Sequence, residues 1–213
     1  LKRIKAAAVL FAGGGGNIGL DMGRKTVDSE NFLVRSRNLF SASGILTITP
    51  DVPSDMTGLK NNRSNLDYRT DIAYLIEEIK RSTSSPIWLI GTSRGSITVG
   101  YHAPELNING IVLTASVTEG NNDTIFGADL SKIRIPTLIV HHENDVCIAS
   151  PPSGTNAIFN ALTNAPKKHV LLFNEGNYGY GRDCGATTPH GFLGIEREVV
   201  SAITTWMLKA TDD

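Results

Sequence analysis

The stretch "IWLIGTSRGS", residues 87–96, decides the fold. Four apolar residues, Ile87–Ile90, run straight into Gly91-Thr92-Ser93-Arg94-Gly95, and a helix-compatible segment, Ser96–Ala103, follows. The pentapeptide is G-x-S-x-G in a strand–turn–helix context. A sharp turn there lifts the Ser93 hydroxyl above the sheet, where it can act as a nucleophile. Glycines two residues to either side let neighbouring backbone pass close without a Cβ clash. The helix that follows aims its positive end at the site.

The rest of the chain supplies the sheet that such a turn needs. Apolar, β-branched runs recur at Ala6–Phe11, Ile45–Thr49, Ile87–Ile90, Ile108–Ala115, Thr137–His142 and His169–Phe173. Between them the period changes to that of a helix. Ile72, Leu75, Ile76 and Ile79 share one face within Asp71–Arg81, and Ile195, Val199, Ile203 and Trp206 share another near the C-terminus. Strands that read as continuous apolar runs are buried on both faces. The expected architecture is therefore a single α/β domain over residues 1–213: a mostly parallel, doubly wound sheet of about six strands, with helices on both faces and no separate cap. Two loops, Asn17–Glu30 and Pro50–Arg69, exceed the ~2–6 residues usual for βα connections. Both leave the carboxyl ends of strands, where open α/β sheets bind ligands.

Composition narrows the class. The chain has 213 residues, 40% hydrophobic and 19% charged, with a formal net charge of -1. That balance offers no basic field for nucleic acid, and no apolar run approaches the ~18 residues of a membrane span. Lys2, Arg3 and Lys5 before "AAAVLFAGG" resemble the start of a signal peptide, but the apolar run is short and is read as a first strand. The chain begins at Leu1 rather than Met, and the expectation is that something upstream was removed. Cys147 and Cys184 are the two cysteines. Without C-x-x-C or a second pair they do not suggest zinc, so they are two buried thiols or one disulfide. No metal or cofactor is expected.

A nucleophilic serine needs a base and an acid that orients it, both later in the chain. "TLIVHHENDVC" (137–147) is a buried strand followed by a turn, and it puts Asp145 just past the strand's carboxyl end, the first choice of acid. Glu143 and Asp183 are weaker candidates. "TTPHGFLGIE" (187–196) puts His190 after the last strand, ahead of the final helix, as the base. His142 is a candidate to orient the acid loop, while His102 and His169 read as packing or surface residues. Arg35, Arg37, Arg94 and Arg182 could favour an anionic substrate, although such arginines more often pair with carboxylates.

These residues resemble the α/β-hydrolase superfamily, in particular the small dienelactone-hydrolase-like and cutinase-like esterases. The resemblance runs from the strand at Ala6 to the C-terminal helix. It rests on the turn around Ser93, the acid loop at Asp145 and His-Gly-Phe at 190–192. Two departures stand out: the antiparallel strands that open larger members are missing, and Ala12 occupies a position that is often His. The resemblance implies ester hydrolysis by Ser93, His190 and Asp145 through an acyl-enzyme.

It also gives a reading of "AAAVLFAGGGGNIGL" (6–20). Gly14, Gly16 and Gly19 satisfy G-x-G-x-x-G, but a dinucleotide loop turns at once into a helix with an acidic residue ~20 positions on. Here Leu20–Glu30 intervenes, the helix starts near Asn31, and Asp51 lies too far along. In a hydrolase this loop instead gives one backbone N–H to the oxyanion hole. Gly14 is the expected donor, with Gly13 and Gly15 as neighbours, and Arg94 gives the second N–H. If Asp145 and His190 meet, Cys147 and Cys184 converge, and a disulfide would pin the two loops together. Such a bond implies a periplasmic or secreted location. The substrate expected is a short or polymeric ester at an open site. Acyl transfer by the same triad and a non-catalytic binding module are the rival readings.

Overall fold

A computed structural model of the chain describes residues 3–20, 30–120, 123–179 and 181–211. Six strands are present among the described residues: β1 (Ala6–Phe11), β2 (Ile45–Ile48), β3 (Ile87–Thr92), β4 (Gly110–Thr114), β5 (Thr137–His142) and β6 (Lys168–Phe173). They form one sheet in the order β2-β1-β3-β4-β5-β6, and every pairing is parallel. Five α-helices among the described residues connect or follow them: α1 (Phe32–Ala42), α2 (Leu66–Ser82), α3 (Gly95–His102), α4 (Gly154–Ala161) and α5 (Glu196–Thr211). The strand order reverses between β1 and β3. That is the switch point at which loops splay apart and leave a crevice beyond the carboxyl ends of the strands.

Alternation along the central strands divides the core in two. Ala7, Val9 and Phe11 of β1 join Leu89, Leu113 and the α2 residues Ile72, Ile76 and Ile79 in one layer. Ala6, Ala8 and Leu10 face the other way, with Trp88, Val112, Val140 and the α5 residues Val199, Ile203 and Met207. Strands β1, β3, β4 and β5 are buried throughout, whereas β6 at the edge is partly exposed along its length. Each fully buried aliphatic side chain contributes ~1.5–3 kcal/mol, so this two-layer core fixes the sheet on which the loops are mounted.

Local signals set the helix ends. Asn31 caps α1 by accepting from Leu33 N–H (3.1 Å), so the helix starts where its expected N-terminus lies. Asn65 caps α2 through Asp67 N–H (2.8 Å), with Asp67 in the first turn and Lys80 and Arg81 in the last, the charge order that the helix dipole favours. Helix α2 starts at Leu66, earlier than the periodicity places it, because its first turn buries only Tyr68. Strand β3 runs two residues past Ile90, since Gly91 and Thr92 stay in register with Leu113 and Thr114. The long loop after the glycines falls largely on residues 21–29, which lie outside the described residues. No helix among the described residues is long and apolar enough to cross a membrane.

Candidate active site

At the end of β3 the chain turns on Ser93, whose φ is +52°. A non-glycine residue in that left-handed region is strained and persists only where its surroundings hold it. They do so here. Ser93 N–H donates to Thr114 O (2.9 Å), while Ser93 O accepts from Ser96 N–H (3.0 Å) and Ser96 Oγ (2.6 Å). The flanking glycines are required by contact. A Cβ on Gly91 would collide with Gly95 O, and one on Gly95 would collide with Phe11 O at the end of β1.

Asp145 and His190, the expected acid and base, are brought together from two loops. Asp145 follows β5 with its side chain fully buried. Its Oδ1 accepts from Cys147 N–H (2.9 Å) and its Oδ2 from His190 Nδ1 (2.8 Å). Burial alone would raise the Asp145 pKa, but the hydrogen bonds from His141 and His190 outweigh it and hold the carboxyl down to about 2. The carboxylate is therefore ionised at neutral pH, and His190 must donate from Nδ1. In the neutral imidazole the lone pair is then on Nε2, a buried atom without a hydrogen-bond partner among the described residues. His190 sits in a short turn, Pro189–Gly191, with its N–H on Thr188 Oγ1 (3.2 Å). Gly191 admits no Cβ there, because Ala186 O occupies the space. Glu143 and Asp183, the weaker candidates for the acid, are both exposed.

The cysteines form a disulfide, Cys147–Cys184, with Cα atoms 4.6 Å apart. One end lies two residues past Asp145 and the other six before His190, so the bond ties the acid loop to the base loop. Arg35 holds the base loop from the other side. Its guanidinium donates to Ala186 O (3.1 Å) and Gly191 O (2.6 Å) and pairs with Glu196 (2.8 Å). Arg37 donates to Val34 O and Arg94 to Lys60 O. Of the arginines weighed as anion ligands, these three are therefore engaged within the protein.

Two cavities are lined in part by Ser93. One, of about 460 Å³, is lined by Ser93, His190, Gly13, Gly14 and Asn31. The other, of about 330 Å³, is lined by Ser93, Gly14, Arg94, Val117, Ala149 and the disulfide. A cavity of about 480 Å³ between Pro50–Asp55 and α2 contains neither Ser93 nor His190. Behind Ser93, the glycine loop closes on itself through Gly16 N–H to Gly13 O (3.0 Å). Gly13 is packed against the Ser93 turn, where an added Cβ would lie 3.0 Å from Ser93 Cβ. Gly14 has φ +56°, and its N–H and that of Arg94 are hydrogen-bonded to no group among the described residues.

Comparison with known proteins agrees with this geometry at the level of fold. No family model and no curated protein matches the sequence. Solved structures do match. Est1E from Butyrivibrio proteoclasticus superposes with a TM-score of 0.63 at 12% identity, over 100% of this chain and 90% of that one. The monoacylglycerol lipase of Paleococcus ferrophilus gives 0.64 at 17%, over 98% and 96%. An esterase from Exiguobacterium antarcticum gives 0.64 at 13%, over 95% and 91%. The chain has the α/β-hydrolase fold.

Within that fold, three residues have roles that the sequence did not give away. His141, the neighbour of the histidine picked out to orient the acid loop, brings Nε2 to Asp145 Oδ2 (3.2 Å) and to Ser150 O (2.9 Å). His142 accepts from Asn144 N–H at Nδ1 (3.0 Å) and donates from Nε2 to Glu175 O (2.8 Å), so it does hold the turn of the acid loop. Strand alternation alone tells them apart, since His141 and His142 must face opposite sides of β5. Asp51 accepts from Ile18 N–H (3.0 Å) and Leu20 N–H (2.8 Å) and so holds the chain just past the glycines. Arg63, from the polar run "NNRSN", is fully buried beneath the glycine loop. No periodicity or motif marks it.

Proposed function

We propose that the protein is a serine hydrolase of carboxylic esters, working through Ser93, His190 and Asp145 without a metal or cofactor. The observation that carries this reading is the buried Asp145–His190 pair, whose free Nε2 belongs to a residue lining the same cavity as Ser93. His190 Nε2 takes the Ser93 proton as Oγ bonds to the ester carbonyl carbon, and the carbonyl π pair moves to oxygen. The N–H groups of Gly14 and Arg94 receive that oxyanion. As the pair returns, the bond to the alcohol oxygen breaks, and His190 gives its proton to the departing alcohol. Water then repeats the sequence on the acyl-enzyme, which frees the acid and restores Ser93. Asp145 keeps the imidazole in the productive tautomer and stabilises the imidazolium.

The two cavities support an assignment of sides. The general acid must reach the leaving oxygen, so the alcohol departs through the cavity that His190 lines. The acyl group takes the other, between Val117, Ala149 and the disulfide. Its about 330 Å³ lies at the small end of the ~300–1,000 Å³ of small-molecule sites, which favours short acyl chains. The disulfide supports an oxidising compartment, periplasmic or secreted, as the place of work.

The test is hydrolysis of p-nitrophenyl esters graded by acyl length, alongside labelling by a fluorophosphonate. The expected result is turnover that falls beyond short chains, with one label on Ser93. Ser93→Ala should remove the label and nearly all turnover while the far-UV spectrum stays native. Labelling that survives in Ser93→Ala would put the nucleophile elsewhere and overturn the reading.

A further inference from the structure

Arg63 is 0% exposed, yet no carboxylate pairs with it among the described residues. Its guanidinium is held by neutral oxygens alone: Ala12 O (2.9 Å), Gly14 O (3.0 Å) and Thr98 Oγ1 (3.1 Å). Burial pulls its pKa down to about 10, against a smaller opposing effect of Tyr68, so it stays protonated at neutral pH. Its own carbonyl accepts from His102 Nε2 (2.8 Å), and burial pulls that imidazole down to about 4, which keeps it neutral. A buried charge without a counter-charge is costly, and surface arginine is the ordinary alternative. Something in this region uses the charge or the fork.

The partners say what. Ala12 and Gly14 belong to the loop after β1, and Thr98 lies on α3, the helix that follows Ser93. These are the two segments that supply the proposed oxyanion donors. In a trans peptide the C=O and the next N–H point in opposite directions. Pinning Ala12 O and Gly14 O therefore fixes the planes on both sides of the Gly13–Gly14 peptide, and the turn bond from Gly16 N–H to Gly13 O fixes that peptide itself. The Gly14 N–H, on the side of that peptide opposite Gly13 O, is left without a partner among the described residues. We propose that Arg63 is the positioning residue of the oxyanion hole: it locks the glycine loop to α3 and sets an uncompensated positive charge beneath the place where the oxyanion forms. Such preorganised donors and charges act on the transition state more than on bound substrate.

This inference rests on the ester-hydrolase reading, and the wild-type protein separates the two. Labelling and turnover by the wild type test the reading, whereas Arg63 variants of an active enzyme test the inference. The variants are Arg63→Met, which removes charge and fork, and Arg63→Lys, which keeps a charge but loses the fork. Fluorophosphonate titration counts competent sites, and turnover is then expressed per site. For Arg63→Met the expectation is a full complement of sites, kcat lower by ~100-fold, KM within about threefold, and a trifluoromethyl ketone inhibitor weakened in step with kcat. Arg63→Lys should fall between the two. A merely structural role would lower the number of sites and leave turnover per site unchanged, and that result overturns the proposal. So does a folded Arg63→Met whose kcat stays within threefold of wild type. Should Arg63→Met not fold, Arg63→Lys decides by the same two measurements: slower turnover at full site count supports the role, and wild-type turnover per site removes it.

Discussion

The two sides of the site are held in different ways. The side proposed to act as acid and base has several independent ties: the Cys147–Cys184 bond, Arg35 on the His190 loop, and His141 and Cys147 N–H on the Asp145 carboxylate. The side proposed to bind the oxyanion has one buried guanidinium spanning both of its segments, while the Gly16–Gly13 turn bond, Leu59 N–H on Gly15 O and Asp51 act on the glycine loop alone. The difference follows from what each side must place. Side chains on long loops have many degrees of freedom, and a misplacement of ~1 Å can cost about 100-fold in rate. Backbone amides in a tight glycine turn have few, so orienting two carbonyls suffices. Losing any one tie on the acid–base side should therefore weaken it by degrees, and only a change in its chemistry should disable it.

The largest effect expected on that side comes from such a change. Asp145→Asn keeps the shape and the Cys147 N–H contact, but its amide can offer an N–H to His190 Nδ1. The ring then carries its proton on Nε2, facing the nucleophile rather than ready to accept from it. Turnover should drop by ~10⁴ with the melting temperature little changed. The check is kcat of the purified variant against its calorimetric transition. Turnover within tenfold of wild type would mean that Asp145 is structural and that another group serves His190.

The smaller effect, and a sharper one for the comparison, comes from removing the covalent tie. The disulfide closes a loop between positions 37 apart, which in the chain-entropy model contributes about 4 kcal/mol. Cys147→Ser with Cys184→Ser should lower the melting temperature by ~10 °C. Because Arg35 and the Asp145–His190 bond remain, turnover at a temperature well below melting should fall by less than ~10-fold. A loss as large as that of Asp145→Asn would mean that the other ties do not hold the loops, and the contrast between the two sides would disappear.

How much of this was legible beforehand depended on the kind of signal. Strands β1 and β5 have the bounds that their runs mark, because each is buried on both faces along its whole length. The sharp turn at Ser93 was legible because it needs glycine at fixed offsets, and the meeting of Asp145 with His190 because they sit at strand and helix boundaries that the pattern locates. Helix α4 was not singled out, since "GTNAIFNA" buries only Gly154, Thr155 and Ile158. Arg63 and Arg35 were illegible for a deeper reason. Each binds backbone carbonyls far away in sequence, at separations of 49 and 51 residues for Arg63 and 151 and 156 for Arg35. A carbonyl leaves no trace in the sequence. The pairing of Cys147 with Cys184 is the opposite case, because both partners are side chains of a rare type and the loops carrying them were expected to meet.

The smallest effect concerns His141, whose ring N–H is shared between Asp145 Oδ2 and Ser150 O. Asp145 has a folded pKa of about 2 against an ordinary value of 3.8: burial pushes it up, and His141, His190 and Cys147 N–H push it down further. A carboxyl lowered by folding stabilises the native state above its unfolded pKa and loses that contribution as pH falls toward the folded one. The window here is therefore about pH 4 down to about pH 2, and the contribution at neutral pH is on the order of 2 kcal/mol. His141→Leu removes one donor while His190 and Cys147 N–H stay, so the folded pKa should rise part of the way and the window should narrow from below. Acid unfolding, followed by near-UV circular dichroism, should then begin at a pH higher by a few tenths, with neutral-pH turnover within ~10-fold of wild type. The lost bond to Ser150 O costs the same at every pH, so the shape of the acid limb rather than its height isolates the Asp145 contact. If the variant loses stability uniformly from pH 7 to pH 2, His141 serves Ser150 alone, and the acid–base side has one tie fewer than the comparison assigns to it.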